Sequence, residues 1–339
     1  MSSLLDLPNT ALAELLKKLD FVSIQRLRKT CYDLRNRIYD FKPDPSLTKL
    51  SIRIEPFVIY NHFWYEDDDC CNEYYNDEKG CAVLYYEMYK RKKKMLENVD
   101  FIEVACNNMK TILVYQKSLL ENFTIEFHNG SRDGKEGNLE NTATNFFNCL
   151  ALHNFKLKVK TFQATVTNQN QILNVICGLD PEFLVNLTIK NTNGNSENLE
   201  ELEIGELVKT EQWKRAEVVN ILNFVVDFEL EDFVHFQVVY IAVKTLAMED
   251  IISVKEEKLL TSSSLQLFKI RFEQCQNEID LIESFGQPLI TSDQVGQKRS
   301  HWYFKASSAE TFVSIVLYSY QIIFQRNHIS NLPSNALLL

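Results

Sequence analysis

The chain has 339 residues, of which 45% are hydrophobic and 24% charged, with nine glycines and seven prolines. That apolar content suffices for a sizeable core, and the scarcity of glycine and proline excludes long flexible linkers, collagen-like segments and bulk disorder. A formal charge of −10 argues against a general affinity for the phosphate backbone of nucleic acids, which requires clustered lysine and arginine.

The charge is unevenly spread. Residues 1–43 carry eight basic side chains (Lys17, Lys18, Arg26, Arg28, Lys29, Arg35, Arg37 and Lys42) against Asp6, Glu14, Asp20, Asp33 and Asp40, a net +3 that leaves −13 for the remainder. A basic small module on an acidic body suggests two parts with different partners. In the first part, Pro8 sits where a helix can begin without losing an N–H bond. Leu12, Leu15, Leu16 and Leu19 follow at helical spacing, one apolar stripe. Asp20 is placed to cap a second helix with Ile24 and Leu27, and Leu27, Cys31, Leu34 and Ile38 keep the spacing through a third. Pro43 and Pro45 disfavour helix at the residues before them and mark the clearest boundary in the chain.

Beyond it the texture is that of strands. Leu50, Ile52 and Ile54 alternate with polar residues. Residues 61–80, acidic and aromatic, read as a loop or distorted hairpin, 87–98 as a helix, 109–120 as a helix, 123–127 as a strand and 141–154 as a helix. Strands are then expected at 159–166, 184–190, 217–224, 238–244 and 265–272, with helices at 169–178 and 248–260 and extended segments around Phe304 and 312–324. Strands recurring about every 20–35 residues have the spacing of a strand–helix solenoid of leucine-rich-repeat character, although the strict repeat consensus is not kept.

The string LPNTALAELLKKLDFVSIQRLRKTCYDLRNRI, from Leu7 to Ile38, resembles the F-box: the Leu7-Pro8 start, the stripe Leu12, Leu15, Leu16, Leu19, the turn from Asp20 to Ile24, and Thr30-Cys31 with Leu34. Thr30 stands where valine is usual, and Leu34 where tryptophan is. The rest resembles the FTH domain that follows the F-box in a large nematode-type family. The resemblance rests on Gly80-Cys81 with Tyr85 and Tyr86, on Asp100-Phe101, on Lys158 to Phe162 leading to Ile172-Leu173 and Leu179-Asp180-Pro181, on Glu211 to Ala216, on Asp232 to Phe236, and on Trp302 with Phe304. The expected architecture is α/β, a small three-helix F-box (1–43) followed by an irregular leucine-rich-repeat-like solenoid (47–325) and a C-terminal tail (326–339).

The resemblance implies a non-catalytic substrate-recognition subunit of a Skp–cullin–F-box ubiquitin ligase. It would dock a Skp-family adaptor, and through it a cullin, and bind an unidentified protein target through the solenoid. The candidate docking residues are Leu7, Pro8, Leu12, Leu15, Leu16, Leu19, Ile24 and Leu27. A leucine stripe more commonly packs on its own domain, so periodicity alone leaves self-core and docking surface open. A different class of function is an interaction protein that binds a regulatory partner without ubiquitination, and a third is a cysteine hydrolase. No cofactor, nucleic acid or membrane is expected as a partner.

Other constellations are less specific. The eight cysteines are scattered and contain no C-x-x-C; Cys70, Cys71 and Cys81 near His62 do not have a usual zinc spacing. Glu66, Asp67, Asp68 and Asp69 read as a solvated acidic loop lacking the EF-hand pattern. Lys90, Arg91, Lys92, Lys93 and Lys94 read as a charged helix face, with a nuclear signal or nucleic-acid patch as the sharper alternative. His235, between aromatic residues, reads as a hydrogen-bonded core or turn histidine rather than a general base. The start lacks a basic n-region and apolar h-region, and no apolar run is long enough to span a bilayer, so an intracellular, cytoplasmic or nuclear, location is expected.

Overall fold

A computed structural model describes residues 4–19, 21–65, 69–87, 90–130, 137–192, 194, 199–227, 229–259, 265–275, 278–292, 298–306, 308–334 and 336–339. The chain divides into two compact units, Met1–Thr165 with Asn170–Leu184, and Val166–Gln169 with Val185–Leu339.

The first unit begins with a short 3-10 turn, Leu4–Asp6, and three helices: α1 (Asn9–Lys17), α2 (Phe21–Arg28) and α3 (Tyr32–Phe41). Asp20, the expected cap of α2, lies outside the described residues. Five strands follow in an antiparallel meander: β1 (Lys49–Glu55), β2 (Val58–Trp64), β3 (Asp69–Asp77), β4 (Gly80–Glu87) and β5 (Lys90–Glu97). Helix α4 (Phe101–Leu113) leads to β6 (Leu120–Phe127), and α5 (Leu139–Leu150) leads to β7 (Val159–Val166), followed by α6 (Gln169–Ile176). Strands β6 and β7 add in parallel on the other side of β1, giving the order β7-β6-β1-β2-β3-β4-β5. Period-2 burial decides which face is which. Leu50, Ile52, Ile54, Ile59, Phe63, Tyr74, Phe123, Ile125 and Phe127 are buried on the side where α4 and α5 pack. Tyr60, His62 and Trp64 of β2 are half-buried on the opposite side.

Caps account for where the two packing helices start. Asp100 Oδ1 accepts from the amides of Ile102 (2.8 Å) and Glu103 (3.1 Å), and Asn138 Oδ1 accepts from Asn141 N (2.9 Å). The cap at Asp100 corrects the expectation of a helix over 109–120: the helix begins earlier and ends at Leu113, and the residues after it form a connection. The segment 61–80 contributes strands β2 and β3. The expected helix at 87–98 is also corrected, because Glu87 closes β4 and Lys90–Glu97 form β5. Lysine, methionine, leucine and glutamate favour helix by only tenths of a kcal/mol each, roughly 0–0.7 across ordinary residues, and the ladder to β4 outweighs that. Gly80 opens that strand at φ +136°, where a Cβ would lie 2.3 Å from the Leu96 carbonyl oxygen.

In the second unit β8 (Asn186–Asn191), β10 (Val218–Leu222), β12 (Val238–Leu246) and β13 (Leu267–Cys275) pair in parallel. A separate two-residue ladder joins β9 (Glu200–Glu201) to β11 (Phe224–Val225). The connections contain α7 (Glu211–Arg215), α8 (Met248–Ser253) and α9 (Glu278–Phe285). From β13 the sheet turns antiparallel: β17 (Gln321–His328), β16 (Thr311–Leu317), β15 (Lys298–Lys305) and β14 (Leu289–Ser292) complete it in that order. The last residues lie along β15, with Leu339 N donating to the Tyr303 carbonyl (2.8 Å) and Lys305 N to the Leu339 carbonyl (3.0 Å). Both units are therefore mixed α/β, with parallel strand–helix runs bordered by antiparallel meanders.

Trp213 on α7 organises one aromatic cluster of the second unit. It is buried, its Nε1 donates to the Asp232 carbonyl (2.9 Å), and Phe233 and Phe236 meet it edge-on at 5.7 and 5.1 Å. His235 Nε2 donates to the Trp213 carbonyl at 2.8 Å, the structural role its aromatic neighbours suggest.

Candidate adaptor-docking site

The three N-terminal helices form a module whose described core holds five buried residues: Leu12 and Leu16 from α1, Ile24 from α2, and Leu34 and Ile38 from α3. Pro8 precedes α1 at φ −55°, ψ 148°, and its carbonyl accepts the Leu12 amide at 3.0 Å, so the Leu-Pro start sets the helix entry. Cys31 caps α3, its Sγ accepting from Leu34 N at 3.5 Å. Arg37 Nη1 donates to the Leu7 carbonyl (3.3 Å) and Arg35 Nε to the Arg28 carbonyl (3.1 Å), fastening α3 to the start of the module and to the end of α2. Around this core lies a half-buried apolar rim of Leu5, Leu7, Leu15, Leu19, Leu27 and Phe41.

The eight residues singled out in the sequence divide accordingly. Leu12, Leu16 and Ile24 lie inside the module's own core, where they make no surface available to a second chain. Leu7, Leu15, Leu19 and Leu27 are half-buried in the rim, and Pro8 is exposed. Two rim members escaped the sequence reading, Leu5 and Phe41. Phe41 continues the i+3 spacing from Ile38, and Leu5 belongs to the Leu4-Leu5 pair just before the Leu-Pro start. Tyr32 and Tyr39 on α3 are also exposed, at 71% and 59%.

The module is tied to the sheet that follows it. The Asp44 carboxylate accepts from Ser118 N (2.7 Å) and Lys117 N (3.3 Å), and Lys117 Nζ donates to the Lys42 carbonyl (3.1 Å). Gln116 pairs with the Leu47 backbone in both senses, Leu47 N to Oε1 and Nε2 to the Leu47 carbonyl, each at 3.1 Å. Tyr39 meets Tyr115 edge-on at 6.3 Å, and Pro45 is buried. The Pro43–Pro45 boundary is thus a hydrogen-bonded joint. Such a joint fixes the direction in which the helical module presents its rim relative to β1–β7.

The remaining constellations do not assemble a comparable site. His62 lies across from Cys71 in the β2–β3 ladder, with Nε2 2.6 Å from Asp69 Oδ2 and its ring stacked on Trp64 at 3.7 Å. This resembles a cysteine–histidine–aspartate set in composition, but burial and the nearby Glu73, Cys70 and Asp69 push the Cys71 thiol up to about 11. A nucleophilic cysteine requires the opposite shift. Burial likewise pushes Cys81 up to about 11 and raises Cys106. Among the described residues no group of three or more histidine, cysteine or acidic side chains is placed to hold a metal ion, and no helix is long and apolar enough to cross a membrane. Glu66, Asp67 and Asp68 lie outside the described residues.

Two family models match parts of the chain. A model of the F-box domain matches residues 4–45, and a model of the FTH domain matches 140–288. The chain is similar to F-box A protein 224 of Caenorhabditis elegans, with 22% identity over 246 residues, which is 70% of this chain and 61% of that relative. No solved structure matches. The chain thus carries an F-box match at its N-terminus and an FTH-domain match behind it, and it is similar over part of its length to a nematode F-box A protein.

Proposed function

We propose that the chain is the substrate-recognition subunit of a Skp–cullin–F-box type ubiquitin ligase. The observation that carries this is the leucyl rim around a small core: among the described residues five are buried in the module's core, and Leu5, Leu7, Leu15, Leu19, Leu27 and Phe41 are left half in water. An apolar surface of this kind on a small module is completed by a partner. The docking face is Leu7, Pro8, Leu15, Leu19 and Leu27, while Leu12, Leu16 and Ile24 act by holding that face in shape. Fully burying a leucine contributes roughly 1.5–3 kcal/mol, so finishing the burial of four half-buried leucines supplies several kcal/mol against the entropy of association.

In this reading 1–43 is the docking module, and the body from 47 to 325 carries the target. Its runs of parallel strands serve as a solenoid-like platform, as leucine-rich-repeat proteins use theirs. The subunit is non-catalytic and contributes proximity: it raises the effective concentration of target lysines near the ubiquitin donor. The joint at Asp44 and Gln116 supports this reading, since a fixed docking direction holds a bound target in reach.

Leu15→Glu tests the proposal. A carboxylate in the rim, able to reach water from the half-buried position 15 in the free chain and desolvated in the complex, is expected to abolish co-purification of a Skp-family adaptor while leaving circular dichroism unchanged. Undiminished recovery of the adaptor by the variant sinks the docking assignment.

A further inference from the structure

Strand β5 ends the sheet of the first unit, and among the described residues no strand pairs with its outer side. Its sequence is KRKKKMLE, five consecutive basic residues in a chain of net charge −10. Arg91, Lys92, Lys93 and Lys94 are all exposed. Neither Lys93 nor Lys94 has an ion-pair partner among the described residues. The β4–β5 register places Arg91 opposite Tyr86 and Lys93 opposite Leu84 on one face, with Lys92 opposite Tyr85 and Lys94 opposite Val83 on the other. Tyr86 is partly exposed, its hydroxyl held by Glu73 Oε1 at 3.0 Å and the Arg91 guanidinium 5.9 Å above its ring.

From this edge we propose that β5 is a docking strand for an acidic, extended polypeptide segment, which adds to the sheet as a further strand. The inference rests on the reading of this chain as a target receptor and assigns the chemistry of the target. The site lies between the residues matched to the F-box and those matched to the FTH domain.

Two arguments select this occupant. An open edge offers backbone N–H and C=O groups at strand spacing, which only another extended chain satisfies in register. Alternating lysines and arginine on both faces of the edge then complement carboxylates on both faces of the incoming strand. Lysine also guards sheet edges against unwanted pairing, but the protein guards its other terminal strand differently. β14 is four residues long and has no charged residue, whereas β5 has eight residues and five cations. Eight residues extend over about 26 Å at about 3.3 Å per residue, enough for a segment of the same length. A nucleic acid would use the charge but not the backbone edge.

The test uses the full chain and a fluorescein-labelled decapeptide of repeating Glu-Glu-Val-Val, which puts carboxylates on both faces of an extended strand, read by fluorescence anisotropy. Binding is expected, weakened at least about tenfold by Lys93→Glu/Lys94→Glu, whose exposed positions leave the fold intact, and weakened by added salt. Methylating one alternate set of peptide amides is expected to abolish binding, and methylating the other set to leave it. Equal binding of a glutamine–valine peptide, tighter binding of a single-stranded oligonucleotide, indifference to the double substitution, or no binding at all each overturns the proposal. The Leu15→Glu chain is expected to bind the peptide as the parent does, and the Lys93→Glu/Lys94→Glu chain to recover the adaptor normally. Failure of the edge and failure of adaptor docking are therefore read separately.

Discussion

Leu16 and Leu15 are adjacent on one helix, and the account assigns them opposite jobs. Leu16 is 1% exposed within the five-residue core, whereas Leu15 is half-buried in the rim. Leu16→Ala removes contacts that so small a core cannot rebuild, so its cost falls in the usual range of about 2–5 kcal/mol for a buried leucine. At about 1.4 kcal/mol per factor of ten, a loss near 3 kcal/mol raises the open population of the helical module roughly a hundredfold. Leu15→Ala gives up only a partly buried side chain, for which about 1 kcal/mol is expected. Native-state hydrogen exchange resolves the difference. In Leu16→Ala the amides of α1 and α3 exchange about a hundredfold faster, while those of β6 keep their protection. In Leu15→Ala the α1 amides change by less than about tenfold, yet adaptor affinity falls. Equal acceleration by the two substitutions would refute the division of the stripe into core and rim.

Two further outcomes follow from the same structure. Trp213→Phe removes the Nε1 bond to the part-buried Asp232 carbonyl and part of an aromatic cluster; a loss of about 2–3 kcal/mol is expected in urea unfolding with an unchanged m-value, and a loss under about 0.5 kcal/mol would contradict the packing described. Brief iodoacetamide labelling at neutral pH is expected to modify the exposed Cys31 and Cys177 before Cys71, Cys81 or Cys106, as read by mass spectrometry. Fast labelling of Cys71 would instead mean an activated thiolate beside His62 and revive a hydrolase reading.

The helical module was legible in the sequence because Leu12, Leu15, Leu16 and Leu19 follow the period of a helix, and the apolar alternation of Leu50, Ile52 and Ile54 marked β1 just as clearly. Periodicity places side chains on a face without saying how deep that face is covered. The separation of Leu16 from Leu15 depends on α2 and α3 crossing above it, and only contacts between helices decide that. Strand β5 was misread for a related reason: its lysines fit a helix locally, and its conformation is set by the ladder to β4. The early end of α4 and the joint at Asp44 depend on partners far along the chain, with Ser118 74 residues from Asp44 and Gln116 69 residues from Leu47. The parallel strands of both units were found from their apolar runs. The antiparallel return of β14–β17 onto β13 was not, since pairing direction leaves little trace in an apolar strand.

The claim on which the account turns is that the N-terminal leucyl rim is half of an interface. Its most direct measurement is the mass, by size-exclusion chromatography with light scattering, of the purified chain mixed with a purified Skp-family adaptor. A 1:1 complex that persists on dilution to micromolar concentrations is the expected result. Two separate peaks at the masses of the free proteins, with the helical module folded, would contradict it.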